Sequence, residues 1–234
     1  MGYVAPASLW AEAAGGAVWI ATYTKALQRQ IDQELSRLYP DPREKAVHVV
    51  LRKGRENYLC LLNLEEAMAQ TGLAGIATPD AVLLGLVARW ARYSRDGDLV
   101  GGDFPSWLAA HFGAGRLAAL TDHRGECLYS ACRHYRRCFI EKSQRASARA
   151  RIVIANHALV MVNAARQRAE ALTPTRYVFD EAHHLFDAAD NCFAAHLTGR
   201  EMAELRRWLM GPEGAGRRRG RGLMTRLGDL ALAE

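Results

Sequence analysis

The sequence predicts an α/β fold: a parallel sheet flanked by helices, interrupted by a long, mostly helical insert. Three observations predict it. Short apolar runs separated by an amphipathic helix open the chain, as in a strand–helix–strand unit. About 100 residues without that alternation follow. Two more apolar runs then restore it, the second ending in adjacent carboxylates.

The elements follow in order. Gly2 to Ala13 reads as a helix with Leu9, Trp10 and Ala13 as inward residues, ended by Gly15-Gly16. Ala17-Val18-Trp19-Ile20-Ala21 reads as a buried strand. Lys25 to Leu38 is an amphipathic helix with Leu27, Ile31, Leu35 and Leu38 along one side, closed by Pro40 and Pro42. Val47 to Leu51 is the next strand. Arg52 to about Ala148 is mostly helical, with its strongest apolar segment from Leu83 to Trp90 and a Gly/Asp-rich loop from Asp96 to Asp103. Ile152-Val153-Ile154-Ala155 resumes the sheet pattern, followed by Asn156-His157 and a helix to about Ala171. Thr173-Pro174-Thr175 leads into Tyr177-Val178-Phe179, the strand before Asp180-Glu181-Ala182-His183. The tail from Leu197 is helical, broken by a Gly/Arg-rich loop from Gly211 to Gly222.

Composition sets bounds. Half of the 234 residues are hydrophobic and 24% are charged, an ordinary globular balance. No uninterrupted apolar run is long enough to span a bilayer, and the N-terminus has no signal-peptide pattern; a cytoplasmic protein without membrane partners is expected. The net charge is +6, and Arg124 to Arg151 carries as much by itself, with eight Arg/Lys against Glu126 and Glu141. Such local charge suits a polyanion, nucleic acid first; a solvated helix face is the alternative.

Two clusters carry chemistry. Asp180 at a strand end can hold Mg²⁺, with Glu181 orienting and deprotonating a water. The competing reading is that Asp180 caps the next helix. A phosphate loop ending in Gly-Lys-Ser/Thr is not found in the 234 residues. Cys60, Cys127, Cys132 and Cys138 form the second cluster, the last three in a polar, basic stretch unlike an apolar core. Four thiolates can bind zinc or an iron–sulfur cluster, and the loose spacing favours the latter; unrelated core thiols are the third reading. Cys192 lies outside the set.

Taken together, these motifs resemble the iron–sulfur branch of superfamily 2 helicases, the DinG/XPD type, closest to bacterial DinG-like members. Trp19 to Gln28 resembles motif Ia, and Arg52 to Cys60 the segment with the first cluster ligand. Cys127, Cys132 and Cys138 resemble the other three ligands. Ala155 to Leu159 resembles the exit from the cluster domain, and Asp180 to His183 the DEAH box.

The resemblance implies an incomplete RecA-like motor domain in residues 1–51 and 149–196, a 4Fe-4S domain in 52–148, and the start of a helical arch domain in 197–234. It implies an ATP-dependent DNA helicase moving 5′ to 3′, associated with DNA repair, acting as a monomer on single-stranded DNA and forked duplexes. Asp180 would bind Mg-ATP, Glu181 would be the catalytic base and His183 would couple hydrolysis to movement. Thr22, Thr24, Arg52, Lys53, Arg55 and Arg136 would face DNA, with Tyr58, Tyr129 and Tyr135 available for stacking. Without a phosphate loop or second motor, this chain alone is expected to turn over little ATP. The alternative is a non-catalytic iron–sulfur module that binds single-stranded DNA; a zinc-binding nucleic-acid protein is the third reading.

Overall fold

The computed structural model describes residues 2–72, 78–122, 127–165, 176–195, 199–211, 222–224 and 227–228. Arg124, Glu126, the helix continuation to Ala171, the Thr173-Pro174-Thr175 lead-in and the Arg217–Arg221 run lie outside them. The chain divides into two compact units, residues 1–54 with 140–194, and residues 55–139 with 195–234.

The first unit is an α/β sandwich. In chain order it contains α1 (Val4–Ala13), β1 (Val18–Thr22), α2 (Lys25–Leu38), α3 (Pro42–His48) and β2 (Val49–Leu51). The insert follows with α4 (Leu61–Gly72), α5 (Pro79–Tyr93), α6 (Ser106–Phe112) and α7 (Ala114–Ala118). The chain returns through α8 (Phe139–Ser147), β3 (Ile152–Asn156), α9 (His157–Ala165), β4 (Tyr177–Phe179) and α10 (Leu185–Phe193), and α11 (Gly199–Met210) follows in the second unit. The four strands form one parallel sheet in the order β2-β3-β1-β4. This architecture is consistent with a RecA-like fold.

The period-2 geometry of strands divides the core in two. Val18, Ile20, Ile152 and Ile154 point to one face and pack with Val4, Ala7 and Ala11 of α1 and Ile31 and Leu35 of α2. Trp19, Ala21, Val153 and Ala155 point to the other, against Val160 of α9. The central strands β1 and β3 are apolar up to their last residue because both faces are covered.

Two sequence expectations change here. In α1 the inward residues are Val4, Ala7 and Ala11, whereas Leu9 and Trp10 are exposed at 69% and 45%, and Ala13 is exposed. The 3.6-residue period, not side-chain bulk, sets the buried face, and alanines let the helix lie close to the sheet. Trp10 is covered partly by the Arg176 guanidinium, 4.2 Å from its ring centroid. Pro42 does not merely close α2; it opens α3, with Asp41 as N-cap accepting the Arg43 amide at 2.8 Å. Proline fits a first helical turn, where its missing N–H costs nothing. β2 therefore begins at Val49, two residues later than expected.

The second unit is mostly helical in its described part, with two isolated bridges, Tyr58 to Asp98 and Leu59 to Thr121, tying its start to later loops. Thr78 caps α5 through the Ala81 amide, and Leu83, Leu84 and Val87 are buried along its inner side. The Gly/Asp-rich loop is closed by Asp103, which accepts from Trp90 Nε1 at 2.8 Å and Ser94 Oγ at 2.7 Å. Those bonds hold the Asp103 pKa below its usual value against the opposing effect of burial.

Candidate functional site

Parallel pairing of β1 with β4 sets the first site. Ala21 stands opposite Phe179, so the next residues, Thr22 and Asp180, meet at the carboxyl ends of adjacent strands. Ligands of open α/β sheets bind outside these ends. The Asp180 amide donates to the Ala21 carbonyl at 2.8 Å, and the Thr22 hydroxyl donates to Asp180 Oδ2 at 3.1 Å. The Tyr3 hydroxyl, just before α1, interacts with the Asp180 carboxylate. Burial, that interaction and the charges of Asp180 and Glu181 push the Tyr3 pKa up to about 12.

Glu181 occupies the left-handed backbone region, with φ 53° and ψ 46°. A non-glycine residue there carries strain of about 1–3 kcal/mol. Glu181 is exposed, with Oε2 3.5 Å from Nδ1 of His183. The ring of His183 lies 4.0 Å from that of His184, which stacks on Tyr23 at a centroid distance of 3.8 Å and 14° between planes. Loops following β1 and β4 are thereby joined by an aromatic stack beside the carboxylates.

The capping alternative for Asp180 is overturned. The 3-10 turn Ala182–His184 has Glu181 at its N-cap position with no side-chain cap bond, and α10 has His184 there, again with none. Asp180 instead receives the Thr22 hydroxyl. Two carboxylates at a strand end, one anchored by the Thr22 hydroxyl and one turned outward, suit a hydrated Mg²⁺ sharing phosphate oxygens. They do not form a closed cage: among the described residues, no three His, Cys, Asp or Glu side chains are grouped to hold a metal ion.

The second cluster lies in the second unit. Cys60, Cys127, Cys132 and Cys138 are all there as half-buried free thiols, whereas Cys192 sits on α10 of the first unit. Cys60 follows the Leu59–Thr121 bridge, and its amide donates to the Leu120 carbonyl at 2.9 Å. Cys132 and Cys138 end successive 3-10 turns, Tyr129–Ala131 and Tyr135–Arg137. The Tyr129 amide donates to Cys127 Sγ at 3.4 Å. Burial pushes the Cys127 thiol up; Asp122 and Cys138 add to the rise, while the Tyr129 amide and Arg55 oppose it. Among the described residues no three His, Cys, Asp or Glu side chains are grouped to hold a metal ion, which bears equally on a zinc ion and on a cluster. The donor chemistry, four thiols with an amide aimed at a sulfur, fits either a zinc ion or a multi-iron cluster, which takes one thiolate per iron.

The residues expected to face nucleic acid are unequal. Thr22 is fully buried on Asp180, so it belongs to the carboxylate site and not to the surface. Thr24 is exposed and caps α2 through the Leu27 amide at 3.2 Å. Arg52 is half-buried, its guanidinium 5.4 Å from the Trp19 ring centroid, and Lys53 is buried. Arg55 pairs with buried Asp122 and lies over the Tyr129 ring. Burial disfavours its charge, but Asp122 outweighs that and raises its pKa. Arg136 is exposed. Of the tyrosines, Tyr58 is buried, whereas Tyr129 is 45% exposed. Glu65 gathers Arg133 at 3.1 Å and His134 at 2.6 Å, which tempers the basic segment.

Sequence reasoning missed Tyr3, Tyr23, His184 and Asp122. Their places depend on strand register and long-range loop pairing, for which no local residue pattern is a signal. His157 stands just past a buried strand, and that position is its local signal.

The class of protein is now defined: an α/β fold with a parallel sheet and an acidic pair at its carboxyl edge. No family model matches the chain. It is 34% identical over 203 residues to the ATP-dependent DNA helicase YoaA of Escherichia coli, covering 80% of this chain and 29% of the relative. It is 30% identical over 216 residues to the ATP-dependent helicase DinG of Mycobacterium tuberculosis, covering 85% and 31%. It is also 27% identical over 211 residues to a protein of Bacillus subtilis named 3'-5' exonuclease DinG, covering 86% and 21%. The chain belongs with the DinG-like helicases and spans about three tenths of the length of the first two relatives.

Proposed function

We propose that the chain contributes the acidic half of the nucleotide site of an ATP-dependent DNA helicase, joined to an iron–sulfur unit that meets DNA. The observation that carries this reading is Asp180 anchored by Thr22 at the carboxyl edge of the sheet, with Glu181 turned outward beside it. Asp180 would hold Mg²⁺ of Mg-ATP, directly or through water, and the ion would neutralise charge on the phosphates. Glu181 orients the attacking water and accepts its proton. His183, 3.5 Å from Glu181, links that carboxylate to the Tyr23–His184 stack and so to the segment after β1.

Cys60, Cys127, Cys132 and Cys138 would hold a 4Fe-4S cluster, whose contribution is to tie distant loops of the second unit together. Thr24, Arg52 and Lys53 in the first unit, and Arg136 in the second, would approach single-stranded DNA; Arg55 supports the surface through Asp122. The substrate is single-stranded DNA or a forked duplex, the direction 5′ to 3′, the working form a monomer in the cytoplasm, and the setting DNA repair. Lacking a phosphate loop among its 234 residues, the chain alone turns over negligible ATP.

Exposed Arg136 and Tyr129 favour a second reading, a non-catalytic module that binds single strands. Anaerobic purification followed by iron analysis, visible absorbance and phosphate-release assays with single-stranded DNA tests both. Iron, colour, salt-sensitive DNA binding and no turnover are expected of this chain. Clear DNA-stimulated turnover overturns the claim that the chain alone is inactive. A colourless, iron-free protein with bound zinc overturns the cluster. Joining the chain to its upstream reading frame separates the helicase from the binding module: turnover that appears with a Gly-x-Gly-Lys-Thr loop and disappears in Glu181→Gln supports the helicase.

A further inference from the structure

His157 is the first residue of α9, just beyond β3, and is 1% exposed. Asn156 starts that helix by accepting the Leu159 amide on Oδ1 at 3.0 Å, which turns the chain at the end of β3. The His157 ring then reaches across the central strand. Its Nε2 lies 3.2 Å from the Ala21 carbonyl, and its ring stands edge-on to Phe179 at 6.0 Å. The Ala21 carbonyl is also the acceptor of the Asp180 amide at 2.8 Å. One backbone oxygen on β1 therefore receives both the residue after β3 and the residue after β4.

A carbonyl only accepts, so Nε2 carries the proton and Nδ1 is left as an acceptor. Nδ1 is buried with no hydrogen-bond partner. An imidazole with one nitrogen unsatisfied is a poor space-filler compared with leucine or phenylalanine. Its chemical advantage at this position is the Nε2–H donor.

We propose that His157 is a positioning residue for Asp180: its neutral Nε2–H tautomer, locked on the Ala21 carbonyl and braced by Phe179, holds β1 and the end of β4 in the register that presents the carboxylate. Asp180's role in metal binding rests on the function proposed above; its placement by His157 does not.

Nitrogen-15 NMR of the full 234-residue chain tests this without nucleotide or metal, so failure of the helicase reading leaves the outcome interpretable. The His157 ring should show a protonated Nε2 and a bare Nδ1. His157→Leu should raise hydrogen exchange of the Asp180 amide at least tenfold relative to Ile20, and His157→Gln, which retains a donor, should restore most of the protection. A protonated Nδ1 or a charged ring overturns the proposal. So does an unchanged Asp180 amide in His157→Leu, or equal loss in both variants, which would mark packing alone. Should His157→Leu fail to fold, the tautomer and the His157→Gln exchange decide: a gain of tenfold or more in that variant also overturns it.

Discussion

The Thr22 hydroxyl donates to Asp180 Oδ2 at 3.1 Å, joining residues 158 positions apart at the ends of neighbouring parallel strands. Thr22 is fully buried, so its hydroxyl is committed to this bond. Thr22→Val keeps the shape and removes the donor. A hydrogen bond to a charged group contributes about 1.5–3 kcal/mol, and half-exposed Asp180 recovers part of that from water. Thr22→Val should therefore lower stability by about 1 kcal/mol in urea unfolding, and Thr22→Ser should lower it less. A double-mutant cycle with Asp180→Asn should show coupling; strictly additive losses would mean the bond does not contribute.

Tyr3 gives a pH-dependent signature of the same carboxylate. Its pKa rises from 10.0 to about 12, through burial and then the interaction with Asp180. The folded state thus holds this proton more tightly than the unfolded chain. The resulting stabilisation is fully present below pH 10 and is lost as pH rises through about 12. The stability difference between wild type and Tyr3→Phe should stay constant to pH 10 and shrink above it. Their difference absorbance should titrate near pH 12; a midpoint near 10 would show that Tyr3 is neither buried nor held by the Asp180 carboxylate.

Arg55 and Arg136 should separate in a DNA-binding experiment, although the sequence offered them alike. Each phosphate contact on a single strand changes the slope of log K against log salt by about 0.7. Exposed Arg136→Ala should reduce the slope by about that amount. Arg55 is held by Asp122, so Arg55→Ala should change the slope little and instead destabilise the protein by about 1.5–3 kcal/mol, leaving Asp122 buried without its partner. Equal slope changes would place Arg55 on the DNA.

These contrasts mark how far the sequence could be read. β1, β3 and β4 were legible as short apolar runs and α2 by its 3.6-residue period, because both signals are local, and so was Asp180-Glu181 at a strand end. The burial of Thr22, the pairing of Arg55 with Asp122 and the contact of His157 with Ala21 were not, because each depends on register between strands or loops far apart in the chain. Leu9 and Trp10 misled for another reason: in α1 the small residues Ala7 and Ala11 face the sheet. Nor did any residue pattern signal the left-handed backbone at Glu181, a position where glycine or asparagine is the usual choice.

That backbone can be tested apart from the charge it carries. Glu181→Ala removes the carboxylate and its exposed 3.5 Å contact with His183, worth at most about 1 kcal/mol, but keeps a Cβ at φ 53°. Glu181→Gly removes the same groups and also relieves the steric cost of that conformation, at an entropic penalty of about 0.5–1 kcal/mol in the unfolded chain. Strain of about 1–3 kcal/mol exceeds the penalty over most of its range. Glu181→Gly should therefore be more stable than Glu181→Ala by about 1 kcal/mol in urea unfolding, with both inactive wherever Glu181 serves as base. A glycine variant no more stable than the alanine variant would mean that residue 181 is not held left-handed, and the outward turn of its carboxylate would need another cause.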